Sequence, residues 1–148
     1  MLIPRQVIEL VGYFDDKYFL VSEDSDLCYR IRKAGLKLII NGDATIYHKV
    51  SATAGGHYSS ITQYYFHRNR MIFLSKILPR YKKILFYLSQ FLIIIPLWSI
   101  FEILKGKYKP VGWAWRGYTD FIKGRTGKCP HFNSSHLSFD SNNLINKS

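Results

Sequence analysis

The sequence predicts an α/β segment followed by helices that associate with a membrane, and three observations carry that prediction. The first third alternates helix-like spacing with short β-prone runs and glycine turns; a 21-residue apolar run occupies Ile84–Leu104; and the charge is split between the two regions. The 148 residues hold 21 Lys+Arg against 10 Asp+Glu, a net charge of +11. Residues 1–65 contain seven basic and seven acidic residues, which cancel, whereas residues 66–128 set thirteen basic residues against Glu102 and Asp120 and carry the whole excess. An apolar content of 47% supports a core and excludes disorder of the whole chain. Cys28 and Cys129 stand far apart without a CxxC pair, which argues against a disulfide scaffold or structural zinc and for a reducing compartment. The start, Met1 to Phe14, lacks the uninterrupted apolar stretch and small-residue cleavage site of a secretory signal.

Element by element, Ile3, Val7, Ile8 and Val11 have helical spacing, and Gly12 follows where a helix end favours positive φ. Phe14 to Val21 alternates loosely, as a loop and short strand. Ser22-Glu23-Asp24-Ser25-Asp26 then supplies a cap and an acidic first turn. Leu27, Ile31 and Ala34 form an apolar stripe, and Arg30, Arg32 and Lys33 close the helix before Gly35, matching its dipole at both ends. Leu36–Ile40 and Ala44–Tyr47 are β-prone runs around the turn signal Asn41-Gly42-Asp43.

After a glycine-rich loop at residues 51–57, Ile61, Tyr64, Tyr65, Arg68, Ile72 and Leu78 suit a helix that Pro79 ends. Ile84–Leu104 has one charge, Glu102, and an internal Pro96. About 20 apolar residues match the ~30 Å hydrocarbon core of a bilayer. Lys82 and Lys83 precede the run and Lys105, Lys107 and Lys109 follow it, so the flanks set no orientation. A spanning helix, a kinked in-plane or re-entrant helix and a buried core helix all fit. Trp113, Trp115 and Tyr118 among Arg116, Lys123, Arg125 and Lys128 favour an anionic lipid interface. No helix-turn-helix, RNP or zinc-finger pattern supports a nucleic-acid partner. Residues 131–148 turn to Ser and Asn and read as a disordered tail.

The acidic cluster admits two readings: a helix cap without chemistry, or a carboxylate that takes a proton from an incoming hydroxyl. The surrounding motifs favour the second. Gly12-Tyr13-Phe14-Asp15-Asp16, Tyr18-Phe19, Glu23-Asp24-x-Asp26-Leu27 with Arg30, Ala34-Gly35 and His48 resemble the second half of the catalytic domain of family 2 glycosyltransferases, rhamnosyltransferase-like members above all. Gln63-Tyr64-Tyr65, Arg68-Asn69, Arg116-Gly117 and Gly124-Arg125-x-Gly127-Lys128 resemble the segment that follows it. The resemblance implies the C-terminal half of a GT-A type nucleotide-sugar transferase domain in residues 1–58. Membrane-associated basic helices would follow in residues 59–130, and the tail in residues 131–148.

It further implies that Asp24 is the general base of an inverting transfer, that Glu23 and Asp26 shape the acceptor site, and that His48 helps hold a divalent Mn or Mg ion. Arg68 is a candidate for the donor diphosphate. The implied partners are a nucleotide-sugar, with rhamnose among the candidate sugars, a lipid-linked saccharide acceptor and the cytoplasmic face of the cell membrane, held peripherally or by a single span. The family's first half, with its strand-rich nucleotide site and Asp-x-Asp metal motif, has no counterpart before Glu23; Asp24-Ser25-Asp26 spells Asp-x-Asp but sits at the place of the base. The expectation is a truncated chain, inactive alone, or one completed by an N-terminal half on another chain. The processive Gln-x-x-Arg-Trp motif is absent, which fits transfer of a single sugar. The competing reading is a non-catalytic membrane-surface binding protein or subunit.

Overall fold

The structure is a computed structural model, which describes residues 1–45, 47 and 59–131. Among the described residues six helices follow one another: α1 (Arg5–Val11), α2 (Glu23–Lys33), α3 (Ser60–Ile77), α4 (Arg80–Ser89), α5 (Ile95–Leu104) and α6 (Tyr108–Ile122), with a π-helical turn at Gln90–Ile94 joining α4 to α5. No strand occurs among the described residues. Leu36–Ile40, expected as a strand, is irregular, and Leu38, Ile39 and Ile40 are exposed. A strand exists only within a ladder, and nothing among the described residues pairs with this run. The expected strand at Ala44–Tyr47 lies partly outside the described residues, and the loop at 51–57 and the tail from residue 132 lie wholly outside them.

The local signals placed the helix ends well. Gly12 closes α1 at φ 82°. At the end of α2, Gly35 at φ 82° donates its N–H to the Arg32 carbonyl while the Leu36 N–H reaches Ile31, the paired bonds of a Schellman closure. The α2 start departs from expectation. Ser22 makes no side-chain cap and takes a left-handed backbone, φ 77°, so the acidic first turn, rather than a hydroxyl, faces the positive helix end. Ser59 does cap α3, its Oγ accepting from the Thr62 N–H at 3.1 Å. Leu78, the residue before Pro79, is extended and stops α3.

Pro96 explains the π-turn. Its ring lacks an N–H and clashes with the carbonyl four residues back in a regular helix. Here the Ile95 N–H reaches the Gln90 carbonyl, five residues back, and the widened turn leaves Pro96 in the first turn of α5, where its missing donor costs little. Residues 80–104 thus form one helix that by length and composition is able to cross a membrane.

Residues 108–122 form a helix within the region expected to be helical, and it is the one on which the fold is built. Val111, Ala114, Gly117 and Tyr118 face inward. At Gly117 the backbones of α3 and α6 nearly touch: a Cβ there would lie 2.6 Å from the Tyr64 carbonyl oxygen and 3.2 Å from the Arg68 nitrogen. Two small apolar cores flank that contact. Ile61, Tyr64, Tyr65 and Cys129 pack with Leu20, Val21 and Trp113, and Met71, Ile95 and Tyr118 pack with Phe86, Phe91 and Phe121.

Candidate functional site

The acidic cluster sits at the start of α2, and burial divides its members. Asp26 is fully buried. Its Oδ1 accepts from Lys76 Nζ at 2.6 Å and from the Tyr18 hydroxyl at 3.2 Å, and its Oδ2 accepts from Arg30 Nε at 2.8 Å. Burial by itself would raise the Asp26 pKa, but hydrogen bonds from Lys76 and Arg30, together with their charges, outweigh it and hold the carboxyl below its ordinary value. Burial, then the neighbouring Asp26 carboxylate, pushes the Tyr18 phenol well above its ordinary value, so it stays a hydrogen-bond donor. Asp26 is a buried tie between α2 and α3. Asp24, two residues earlier, is exposed, and its Oδ1 accepts from the Ser25 N–H at 2.7 Å. Of the three acids, Asp24 is the most exposed. Glu23 is half-buried, and its Oε2 is buried without a hydrogen-bond partner among the described residues.

The loop leading into this cluster carries unusual backbone. Phe19, Val21 and Ser22 have φ of 58°, 66° and 77°. A β-branched valine with positive φ is a genuine outlier and persists only where its surroundings enforce it. Asn69 does so: its Nδ2 donates to the carbonyls of Tyr18, Leu20 and Val21 at 2.8, 2.6 and 2.8 Å.

Arg68, expected at a donor diphosphate, is fully buried and engaged elsewhere. Its Nε donates to Asn69 Oδ1 at 3.0 Å, Nη1 to the Tyr64 hydroxyl at 3.2 Å, and Nη2 to the Gly127 carbonyl at 2.7 Å, with longer contacts to the Lys17 and Tyr18 carbonyls. The guanidinium also lies over the Tyr64 and Tyr65 rings. This geometry gives Arg68 the work of fastening the loop before α2 to the segment after α6, and leaves it no face toward a ligand. Arg30 likewise serves structure, reaching the carbonyls of Val11, Gly12 and Tyr13 at the end of α1.

The frame extends to Asp120, Cys129 and His67, which periodicity alone did not single out. The Tyr64 hydroxyl donates to Asp120 Oδ2 at 2.7 Å, and Arg125 pairs with Asp120 Oδ1 at 3.0 Å. The Tyr65 hydroxyl accepts from the Cys129 N–H at 2.8 Å. His67 bonds the Tyr118 hydroxyl at 2.6 Å and Gln63 Oε1 at 3.2 Å and lies against Trp98. Burial, reinforced by Arg70, lowers its pKa to about 4, so it is a neutral core histidine. Tyr64, Tyr65, Arg68, Asn69 and Gly117, drawn from separate short motifs, therefore assemble into one buried frame behind the acidic helix start, with Gly127 and the exposed Arg125 fastened to it. The signal that would have found it is the run Val111, Ala114, Gly117/Tyr118, Phe121, which has helical spacing.

His48 lies outside the described residues, as does His57. Among the described residues no three His, Cys, Asp or Glu side chains come together, and Asp26 is committed to Lys76 and Arg30. The described residues do not compose a divalent-ion site, which for Mn or Mg requires several converging oxygen ligands.

Comparison with known proteins gives a partial match. Over 76 residues, 51% of this chain, the sequence is 33% identical to N-acetylglucosaminyl-diphospho-decaprenol L-rhamnosyltransferase of Mycobacterium tuberculosis, in the strains CDC 1551 / Oshkosh and ATCC 25618 / H37Rv alike. This stretch of the chain is glycosyltransferase-like. The match spans about a quarter of the relatives' length, 24%. No family model and no solved structure matches the chain.

Proposed function

We propose that this chain is the acceptor-side, C-terminal part of an inverting, GT-A type family 2 glycosyltransferase working at the cytoplasmic face of the cell membrane. By its name the mycobacterial relative places L-rhamnose on N-acetylglucosaminyl-diphospho-decaprenol. The proposal carries over a lipid-linked saccharide as the acceptor class and a nucleotide-activated rhamnose as the first donor to test. Asp24 takes the proton of the acceptor hydroxyl as that oxygen bonds to the anomeric carbon. The bond from this carbon to the diphosphate breaks, the nucleoside diphosphate leaves, and the configuration inverts. Glu23 borders the acceptor, and Asp26 fixes α2. A divalent ion enters the proposal only through His48 and the completing half-domain.

The observation that supports this reading most is the division of labour in the cluster: Asp26 is buried and ion-paired, whereas Asp24 stands exposed on a helix start held by a strained loop. The test begins with the coding DNA upstream of Met1, translated in three frames for about one hundred codons, a typical domain length. A strand-rich segment with Asp-x-Asp, joined to this chain, is expected to transfer sugar. Asp24→Asn should then lower kcat by roughly 10²–10⁴-fold, the usual contribution of a general base. Full activity of Asp24→Asn overturns the assignment, as does sugar transfer by residues 1–148 alone overturn the proposed incompleteness. A second reading, a non-catalytic membrane-surface subunit, shares the exposed apolar side of residues 84–104 and gains ground if no such upstream segment exists.

A further inference from the structure

The helix of residues 80–104 has its polarity reversed. Its buried positions include the polar Gln90, Ser99 and Glu102. From Ile84 on its outward positions are apolar: Leu85, Leu92, Leu97, Ile100, Phe101 and Leu104 are 66, 71, 62, 55, 57 and 80% exposed. A helix on a water-soluble surface shows the opposite arrangement, with its apolar stripe against the core. Polar groups turned inward and apolar groups outward mark a helix whose outer medium is hydrocarbon.

Length permits the helix to cross a bilayer, but its packing does not. α6 runs back along it: Lys107 pairs with Glu102 at 3.3 Å, Trp115 Nε1 donates to Ser99 Oγ at 3.0 Å, and the Tyr118 and Phe121 rings meet Phe91 and Tyr87 at 5.9 and 6.0 Å. These contacts run from residue 87 to residue 102, about 22 Å of helix at 1.5 Å per residue. A spanning helix would draw α6 into the hydrocarbon with it. The far side of α6 exposes Lys109, Arg116 and Lys123, charges that a bilayer interior penalises heavily. Basic residues stand at both ends of the apolar face, Arg80 and Lys82 at one and Lys105 at the other, and Tyr81 and Tyr108 are exposed beside them. An in-plane helix puts both ends at headgroup level, where lysines, arginines and tyrosines are favoured.

We infer that residues 80–104 lie in the plane of an anionic leaflet, apolar face down, with α3 and α6 above it on the water side, and do not span the bilayer. The inference rests on the membrane association just proposed and is independent of the transferase chemistry. The whole chain, with Cys28→Ser and Cys129→Ala, is given one environment-sensitive fluorophore at a time through Leu85→Cys, Leu92→Cys and Leu104→Cys. It is mixed with vesicles of phosphatidylglycerol and phosphatidylcholine, or of phosphatidylcholine alone. The expected result is flotation with the anionic vesicles, at least tenfold weaker binding to the neutral ones, and quenching by depth-placed lipid quenchers that reports one shallow depth for all three labels. Labels at 85 and 104 near opposite surfaces with 92 deep would show a span and overturn the in-plane placement alone. Failure to float with anionic vesicles, or labels shielded without lipid in a dimer of this chain, would overturn membrane association itself. Neither outcome touches the Asp24 assay.

Discussion

Removing the charge at Asp26 probes the tie between the acidic helix and the rest of the molecule. Asp26→Asn preserves shape but leaves Lys76 and Arg30 facing a neutral amide, and the Tyr18 hydroxyl facing a weaker acceptor. Breaking one side of a buried ion pair costs about 3–5 kcal/mol where the survivor stays buried. Here the Lys76 and Arg30 side chains are 40% and 19% exposed and recover solvation, so the expected loss is smaller, about 2–3 kcal/mol at neutral pH. The pH dependence has a definite sign. The folded-state pKa of Asp26 lies below its ordinary 3.8, so its contribution is present above that value and is lost as pH falls through the lower folded value. Urea unfolding followed by tryptophan fluorescence, in wild type and Asp26→Asn at pH 7 and at steps below pH 4, measures both. The difference should shrink as the wild-type carboxyl protonates. A loss under about 0.5 kcal/mol at neutral pH, the size of an ordinary surface substitution, would refute the buried tie. So would a larger loss that stays constant into acid.

Two further substitutions test the frame. Gly117→Ala must push apart two backbones and is expected to destabilise by about 1–3 kcal/mol, whereas Gly112→Ala, with open space at its Cβ, should be neutral or stabilise by up to about 1 kcal/mol; paired thermal melts compare them. Asn69→Asp replaces a donor to three carbonyls with a buried carboxylate and should lower stability by about 3 kcal/mol or more, with tryptic cleavage after the exposed Lys17 accelerated as the loop is released. Unchanged cleavage at Lys17 would show that the loop does not depend on Asn69.

Sequence by itself determined whatever one or two helical turns decide. Gly12 and Gly35 ended helices because few other residues tolerate positive φ there, Pro79 stopped α3 through its steric hold on Leu78, and the charges at the two ends of α2 matched its dipole. The uninterrupted apolarity of residues 84–104 and the concentration of positive charge after residue 65 were likewise visible in composition alone. Only the tertiary structure decided which polar residues are exposed and which are buried against protein. Asp24 and Asp26 are near neighbours of the same type, yet Lys76, fifty residues away, makes one of them a buried tie. Arg68 carries the chemistry of a phosphate ligand, but carbonyls at Lys17, Tyr18 and Gly127 converge on it and fix it as a fastener. Leu36–Ile40 has strand-like composition and no partner among the described residues to pair with. A side chain's type sets what it is able to do, but its partners arrive from distant parts of the chain, and the free energy of burial and pairing that they impose exceeds any local preference.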